Sequence, residues 1–209
     1  MFGSHILCIV PDMSICFILR TMYPMIKRCL DTIFALVLLI ALSPFLLFVA
    51  LCIRIESPGS PLFLQTRVGQ HEVPFRIFKF RTMVNNAAKI GPVLTETNDP
   101  RITPLGKFLR HSSIDELPQL LNILKGEMSF IGPRPEVPSL VKEYTERQRG
   151  VFKVKPGISG WAQVNGRDEL DIPSKLNLDL DYVKAMSFGF DFKIFLLTFP
   201  ALLFRRGVN

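Results

Sequence analysis

The sequence predicts a helix-rich α+β protein, with an apolar N-terminal helix held at a membrane and a mixed domain containing a short β-hairpin. Three observations predict it. Residues 33–53, IFALVLLIALSPFLLFVALCI, form an uncharged run of twenty-one residues. Residues 62–66 and 75–80 are short β-rich runs flanking Gly69-Gln70-His71-Glu72, the pattern of a hairpin. The remainder alternates apolar periodicity with Pro- and Gly-marked turns, as helices joined by loops require.

The apolar run comes first. As a helix it would reach roughly 31 Å, about one hydrocarbon core. Ser43-Pro44 sits at its centre. Proline removes a backbone donor and crowds the preceding turn, and a serine hydroxyl can serve the carbonyl left bare. Lys27 and Arg28 precede the run, and Arg54, Arg67 and Arg76 follow it. Two basic flanks conflict with a simple span, which wants one basic side. A helix that enters and turns back at Ser43-Pro44 accommodates both features; a kinked span accommodates the proline alone. Residues 22–56 are read as this membrane element and 57–209 as the domain. Residues 1–21 form an extension without signal-peptide character; an interfacial segment and a true start at Met22 or Met25 fit it equally.

In the domain, Ser57-Pro58-Gly59-Ser60-Pro61 marks a boundary. Alternation along residues 75–81 places Lys79 and Arg81 on one face. Residues 84–104 read as a polar loop and 105–109 as a short helical patch. A longer helix is expected from Ser113 to about Lys125, closed by Gly126. Gly132-Pro133-Arg134-Pro135 reads as a stiff loop, residues 137–149 as an amphipathic helix, Lys155-Pro156-Gly157 and Asn165-Gly166 as turns, and 174–186 as a further helix. Residues 188–204 are aromatic-rich and end at Arg205-Arg206, the pattern of a helix lying on a membrane surface.

Composition narrows the function classes. Lys and Arg number 25 against 18 Asp and Glu, a net charge of +7, and 48% of residues are hydrophobic. A basic chain with an apolar segment suits anionic lipid or phosphorylated substrates. No zinc-finger spacing or long basic run points to nucleic acid. The four cysteines form no CxxC pair and read as reduced thiols, and the three scattered histidines do not suggest a zinc site.

The stretch with most chemistry is LRHSSIDELPQLLNILKGEMSFIGPRP. Ser113-Ile114-Asp115-Glu116 matches a capping box, and a capping role alone would account for it. The same placement suits catalysis, because a helix N-terminus favours ionised carboxylates and binds phosphate. An ionised Asp can attack phosphorus, and a neighbouring Glu can hold a divalent metal through oxygen. An anionic substrate would then need cations nearby, and Arg110, Arg134, Lys79 and Arg81 are the candidates. Asp168-Glu169-Leu170 repeats the tripeptide after an Asn-Gly turn, where a solvated loop is the simpler reading.

The chain resembles a bacterial sugar transferase, a small monotopic phosphoglycosyl transferase. The residues carrying the resemblance are Phe78-Lys79-Phe80-Arg81-Thr82-Met83, Leu109-Arg110, Ser113-Ile114-Asp115-Glu116-Leu117-Pro118-Gln119, Gly132-Pro133-Arg134-Pro135, and the segment from Pro156-Gly157-Ile158-Ser159-Gly160-Trp161 to Asn165-Gly166-Arg167. It covers residues 22–206. The resemblance implies transfer of a sugar-1-phosphate from a UDP-sugar to undecaprenyl phosphate, with Mg²⁺ and release of UMP. It implies a covalent phosphosugar on Asp115, with Glu116 beside it for metal and proton handling, and Arg110, Arg134 and Arg167 for phosphate and nucleotide contact. It implies a monotopic chain on the cytosolic face of the bacterial inner membrane, with a helix turned back at Ser43-Pro44. Further partners would be membrane lipids, a second copy of the chain or downstream glycosyltransferases. A membrane-anchored lipid phosphatase and a non-catalytic scaffold for glycosyltransferases are the alternatives. The sugar and the glycan pathway are not legible in the sequence.

Overall fold

The computed structural model describes residues 13–90, 99–166 and 169–203. Helix α1 (Met13–Glu56) leads into a hairpin of β1 (Leu62–Val68) and β2 (Pro74–Phe80). A one-turn helix α2 (Ala87–Ile90) follows, then α3 (Pro104–Ser112), a 3₁₀ segment over Ile114–Gln119, and α4 (Leu120–Lys125). Strand β3 (Ser129–Ile131), α5 (Pro138–Val141), a second 3₁₀ segment over Gln148–Lys153, β4 (Gly157–Ser159) and α6 (Trp161–Val164) come next. Helices α7 (Ile172–Ala185) and α8 (Phe188–Leu203) complete the described chain. The helix-rich α+β class is as the sequence predicts.

Helical backbone continues through Pro44, so the break expected at Ser43-Pro44 is not an interruption of α1. The local chemistry explains how. Pro44 lacks the N–H that would reach the carbonyl four residues back, that of Ile40. The Ser43 hydroxyl donates to that carbonyl at 2.8 Å. Among the described residues, one helix, Met22–Glu56, is long and apolar enough to cross a membrane by length and composition. Ile33, Phe34, Val37, Ile40, Leu47 and Phe48 on it are exposed.

Both halves of α1 pack on the domain. Ala35 is buried with Phe75 and Ile77 of β2 and with Leu120, Ile123 and Met128. Val49 and Ile53 are buried with Phe80 and Leu109. Polar contacts reinforce the first half. Arg28 donates to the carbonyls of Ile123 (2.5 Å) and Leu124 (3.1 Å), at the negative end of α4. Asp191 of α8 accepts from Tyr23 (2.6 Å), Lys27 and Tyr182 (2.8 Å). At the other end, a Glu56 carboxylate oxygen accepts from the Leu105 N–H at 2.9 Å, in the first turn of α3.

The antiparallel hairpin forms where expected, with Phe63 opposite Lys79 and Arg67 opposite Phe75. Asn122, fully buried, ties α4 to the outer edge of β2. Its amide donates to the Arg76 carbonyl at 2.8 Å, and its oxygen accepts from the Phe78 N–H at 3.0 Å. Three expectations need correction. The helix expected over residues 137–149 is a single turn, α5, followed by turns and a 3₁₀ segment. Its apolar residues divide between Val141 and Val151-Phe152, which pack with Leu176 and Leu180 of α7. The turn expected at Lys155-Pro156-Gly157 leads directly into β4, which pairs in parallel with β3. The helix expected from Ser113 to Lys125 is two segments, 3₁₀ and then α. Gly126 ends it in the left-handed region, φ 83°, as expected. Cys29 and Cys52 are free thiols.

Candidate active site

The acidic pair sits where α3 stops. Ser113 adopts φ 56°, ψ 17°, which ends α3 and redirects the chain into the 3₁₀ segment. The expected capping box does not form, and the Ser113 side chain caps nothing. In the left-handed conformation Ser113 caps α3 through its backbone instead, its N–H donating to the Arg110 carbonyl at 3.2 Å. Asp115 and Glu116 therefore stand on a short 3₁₀ turn, and both are buried.

Strand β2 packs against this turn and delivers Lys79. Its Nζ donates to Glu116 Oε1 at 2.7 Å. Arg134 Nη2 approaches the same oxygen at 3.4 Å, from the loop after β3. That loop is held by close backbone contact. The Gly132 N–H donates to the Ser159 carbonyl and the Gly157 N–H to the Pro133 carbonyl, both at 2.9 Å. A Cβ on Gly157 would lie 2.1 Å from the Gly132 nitrogen, so only glycine lets the strands approach this closely.

Arg110 serves the other side of the pair. Its Nε donates to the Thr82 hydroxyl at 2.8 Å. Burial lowers the guanidinium pKa, and the charges of Asp115 and Asp99 counter that. The Asp115 carboxyl is pushed up to about 6. Burial is the main cause and Glu116 the next, while Lys79, Arg110 and Arg134 pull the other way. The 3₁₀ turn thus does not depress this pKa as a helix N-terminus was expected to do. Desolvation outweighs any backbone dipole over so short a segment.

Of the residues singled out in the sequence, Asp115, Glu116, Lys79, Arg110 and Arg134 converge. Arg81 does not. It lies just past the end of β2, and its guanidinium donates to the Ser57 (2.5 Å) and Pro58 (2.9 Å) carbonyls, pinning the linker after α1. Strand alternation placed it correctly relative to Lys79, but the strand ends at Phe80. Arg167 and Asp168 lie outside the described residues, and Glu169 is exposed.

Two residues were missed. Arg67 lines a small polar cavity with Lys79, Glu116, Gln119 and Arg134. It donates to the Pro135 carbonyl at 3.0 Å and to Gln65 at 2.8 Å. The signal was available: Phe63 faces Lys79, so Arg67, four residues on, shares the Lys79 face of the hairpin. Asp179 of α7 is buried, and its carboxyl is pushed up to about 7, chiefly by burial. The nearby backbone of Ala162 and Arg134 pulls the other way, and its buried Oδ1 has no hydrogen-bond partner among the described residues. Its signal is an acid on the stripe of α7 that buries Leu176, Leu180 and Tyr182.

No cluster of three or more His, Cys, Asp or Glu side chains gathers among the described residues. The donor set at the site is two adjacent carboxylates. That set fits Mg²⁺, which takes one or two carboxylates and completes its shell with water and substrate phosphate.

The family model for bacterial sugar transferases matches residues 22–205. The chain belongs to the bacterial sugar transferase family. It is 43% identical over 193 residues to the undecaprenyl-phosphate glucose phosphotransferase of Komagataeibacter xylinus, covering 87% of this chain and 36% of that protein. It is 43% identical over 185 residues to the uncharacterized sugar transferase EpsL of Bacillus subtilis, covering 88% and 90%. It is 41% identical over 187 residues to the UDP-glucose:undecaprenyl-phosphate glucose-1-phosphate transferase of Caulobacter vibrioides, covering 85% and 69%. The chain thus spans about a third of the length of the first of these relatives and most of the second.

Proposed function

We propose that the protein transfers a sugar-1-phosphate from a UDP-sugar to undecaprenyl phosphate, at the cytosolic face of a bacterial inner membrane. The observation that carries this reading is the buried Asp115–Glu116 pair, flanked by Lys79, Arg110 and Arg134, in a domain wrapped by an apolar helix. An Asp115 carboxylate oxygen attacks the β-phosphorus of the donor. The new O–P bond forms as the bond to the α-phosphate oxygen breaks, and UMP leaves with that electron pair. A phosphate oxygen of the acceptor then attacks the same phosphorus and displaces Asp115, giving a polyprenyl diphosphate sugar.

Arg110 and Arg134, held by Thr82 and by the loop after β3, supply fixed positive charge where the diphosphate gathers negative charge. Lys79 holds Glu116 in position. Asp115 and Glu116 would hold Mg²⁺, which when bound neutralises phosphate charge and orients the diphosphate. Two half-reactions through one carboxylate require ping-pong kinetics.

The membrane arrangement supports a turned-back α1. Arg28 and Glu56 are separated along the helix by roughly 42 Å, more than a hydrocarbon core. Both hold the same domain, Arg28 through α4 and Glu56 through α3. A spanning helix would place these contacts on opposite membrane faces.

The test is nucleotide release. Protein in detergent with Mg²⁺, undecaprenyl phosphate and a panel of UDP-sugars should release UMP. Asp115→Asn should release none, whereas Asp168→Asn should behave as wild type. UDP in place of UMP would replace this mechanism with ordinary glycosyl transfer.

A further inference from the structure

A cavity of about 280 Å³ lies between α1, α8 and the 3₁₀ turn of the acidic pair. Much of its wall is apolar: Leu38 and Leu42 from α1, Leu117 and Leu120 beside the acidic pair, Phe130 from β3 and Ala201 from α8. The wall reaches the outside, because Leu38 is 39% exposed. There it meets two apolar surfaces, Ile33, Phe34 and Val37 on α1 and Phe195 and Phe199 on α8. Ser112, Ser113, Ser159, Gln163 and Thr198 also line the cavity, but most of its exposed wall is apolar, which suits hydrocarbon better than a nucleotide. At the inner end the wall includes Glu116, which also lines the polar cavity with Arg67, Lys79 and Arg134. One carboxylate therefore stands where a cation-lined space meets an apolar one. That junction matches an amphiphile with an anionic head and a hydrocarbon tail.

We infer that this cavity receives the first isoprene units of the polyprenyl phosphate acceptor, with its phosphate at the Glu116 end. The inference rests on the function proposed above and adds the acceptor subsite to it. The volume sits near the lower limit of ligand pockets, roughly 300 Å³. It takes a short stretch of chain, and the rest stays in the bilayer between the exposed faces of α1 and α8. Because that chain arrives from lipid and not from water, burying it adds little hydrophobic driving force. The cavity instead fixes the position of the acceptor phosphate relative to the sugar-bearing phosphorus, and so acts on the second half-reaction.

Filling the cavity separates the two halves. Ala201→Trp, and independently Leu42→Trp from the facing wall, should slow discharge of the phosphosugar enzyme by undecaprenyl phosphate at least tenfold. The burst of UMP seen without acceptor should change less than twofold. Phe199→Trp, on the exposed face of α8, should alter neither. Unchanged discharge in both filled variants overturns the inference. A second measurement covers variants that fail to fold: wild-type protein in nanodiscs, irradiated with a benzophenone-bearing polyprenyl phosphate and mapped by mass spectrometry. Adducts at Leu38, Leu42 or Ala201 support the subsite, and adducts confined to Phe34, Val37 and Phe199 overturn it. Absence of a UMP burst from wild type with every UDP-sugar would sink the transferase reading itself, while the adduct map would still decide whether the lipid occupies the cavity.

Discussion

At Asp115, one side chain carries two opposed demands. Burial raises its carboxyl pKa to about 6 from an ordinary value near 3.8, so the folded state holds that proton more tightly than the unfolded chain does. The stability this group contributes is therefore complete below about pH 4 and is lost as pH rises through about 6. A carboxyl displaced that far changes stability by about 3 kcal/mol at most. Asp115→Asn removes the ionisation and should stabilise the protein by about 1–3 kcal/mol at pH 7.5 while abolishing UMP release, with little gain at pH 4. Thermal unfolding in detergent at the two pH values checks this, and a variant less stable than wild type at pH 7.5 would contradict it. In the proposed mechanism the same pKa governs chemistry, since only the carboxylate attacks phosphorus. Without Mg²⁺ the carboxyl should titrate near pH 6, and Mg²⁺ held by the pair would favour the carboxylate, so the burst rate should level off below that pH. Glu116 is the second cause of the raised value. Glu116→Gln should therefore move the Mg²⁺-free midpoint to lower pH, whatever it does to the burst; an unmoved midpoint would assign the titration to another group.

At the scale of elements, local signals read well and junctions read poorly. The hairpin, α7 and the stop at Gly126 were legible because periodicity and turn chemistry are short-range properties. Strands β3 and β4 were not: each is three residues long, too short for an alternation pattern, and their pairing joins segments far apart in the chain. The acidic pair was legible as chemistry. Its mounting was not, because S-x-x-E fits a capped helix equally well and the left-handed Ser113 has no composition signal. Asn122 was likewise silent in the sequence, although it clamps β2, and with it Lys79, against the 3₁₀ turn. Asn122→Leu strands the Phe78 N–H and the Arg76 carbonyl, and leaves Glu127 without the amide that donates to it at 2.7 Å. At about 1–3 kcal/mol for each stranded group, the variant should lose about 3 kcal/mol or more. A lowered unfolding midpoint together with a weakened burst is the expected result. Full stability would mean that hairpin packing alone holds the strand.

At the scale of the whole molecule, the two apolar helices and the acidic pair form one arrangement. Asp191 binds Tyr23 and Lys27 of α1 and Tyr182 of α7, so the N-terminal half of α1 and the start of α8 share an anchor. From that anchor both helices present exposed apolar faces, with Phe188, Phe192, Phe195 and Phe199 forming a chain of ring contacts along α8. Basic side chains flank both ends of the apolar run, a pattern that suits anionic lipid at both ends. If α1 turns back, Met22 and Ile55 lie on the same side of the membrane, and both are exposed. Cysteines placed at these two positions, in a chain whose native cysteines are replaced by serine, test this in whole cells. An impermeant maleimide should label neither in intact spheroplasts and both after the inner membrane is opened. Labelling of one position before opening would instead make α1 a span. The contacts of Arg28 and Glu56 with a single domain could then not both form in the membrane-bound protein, because α1 would carry them to opposite faces.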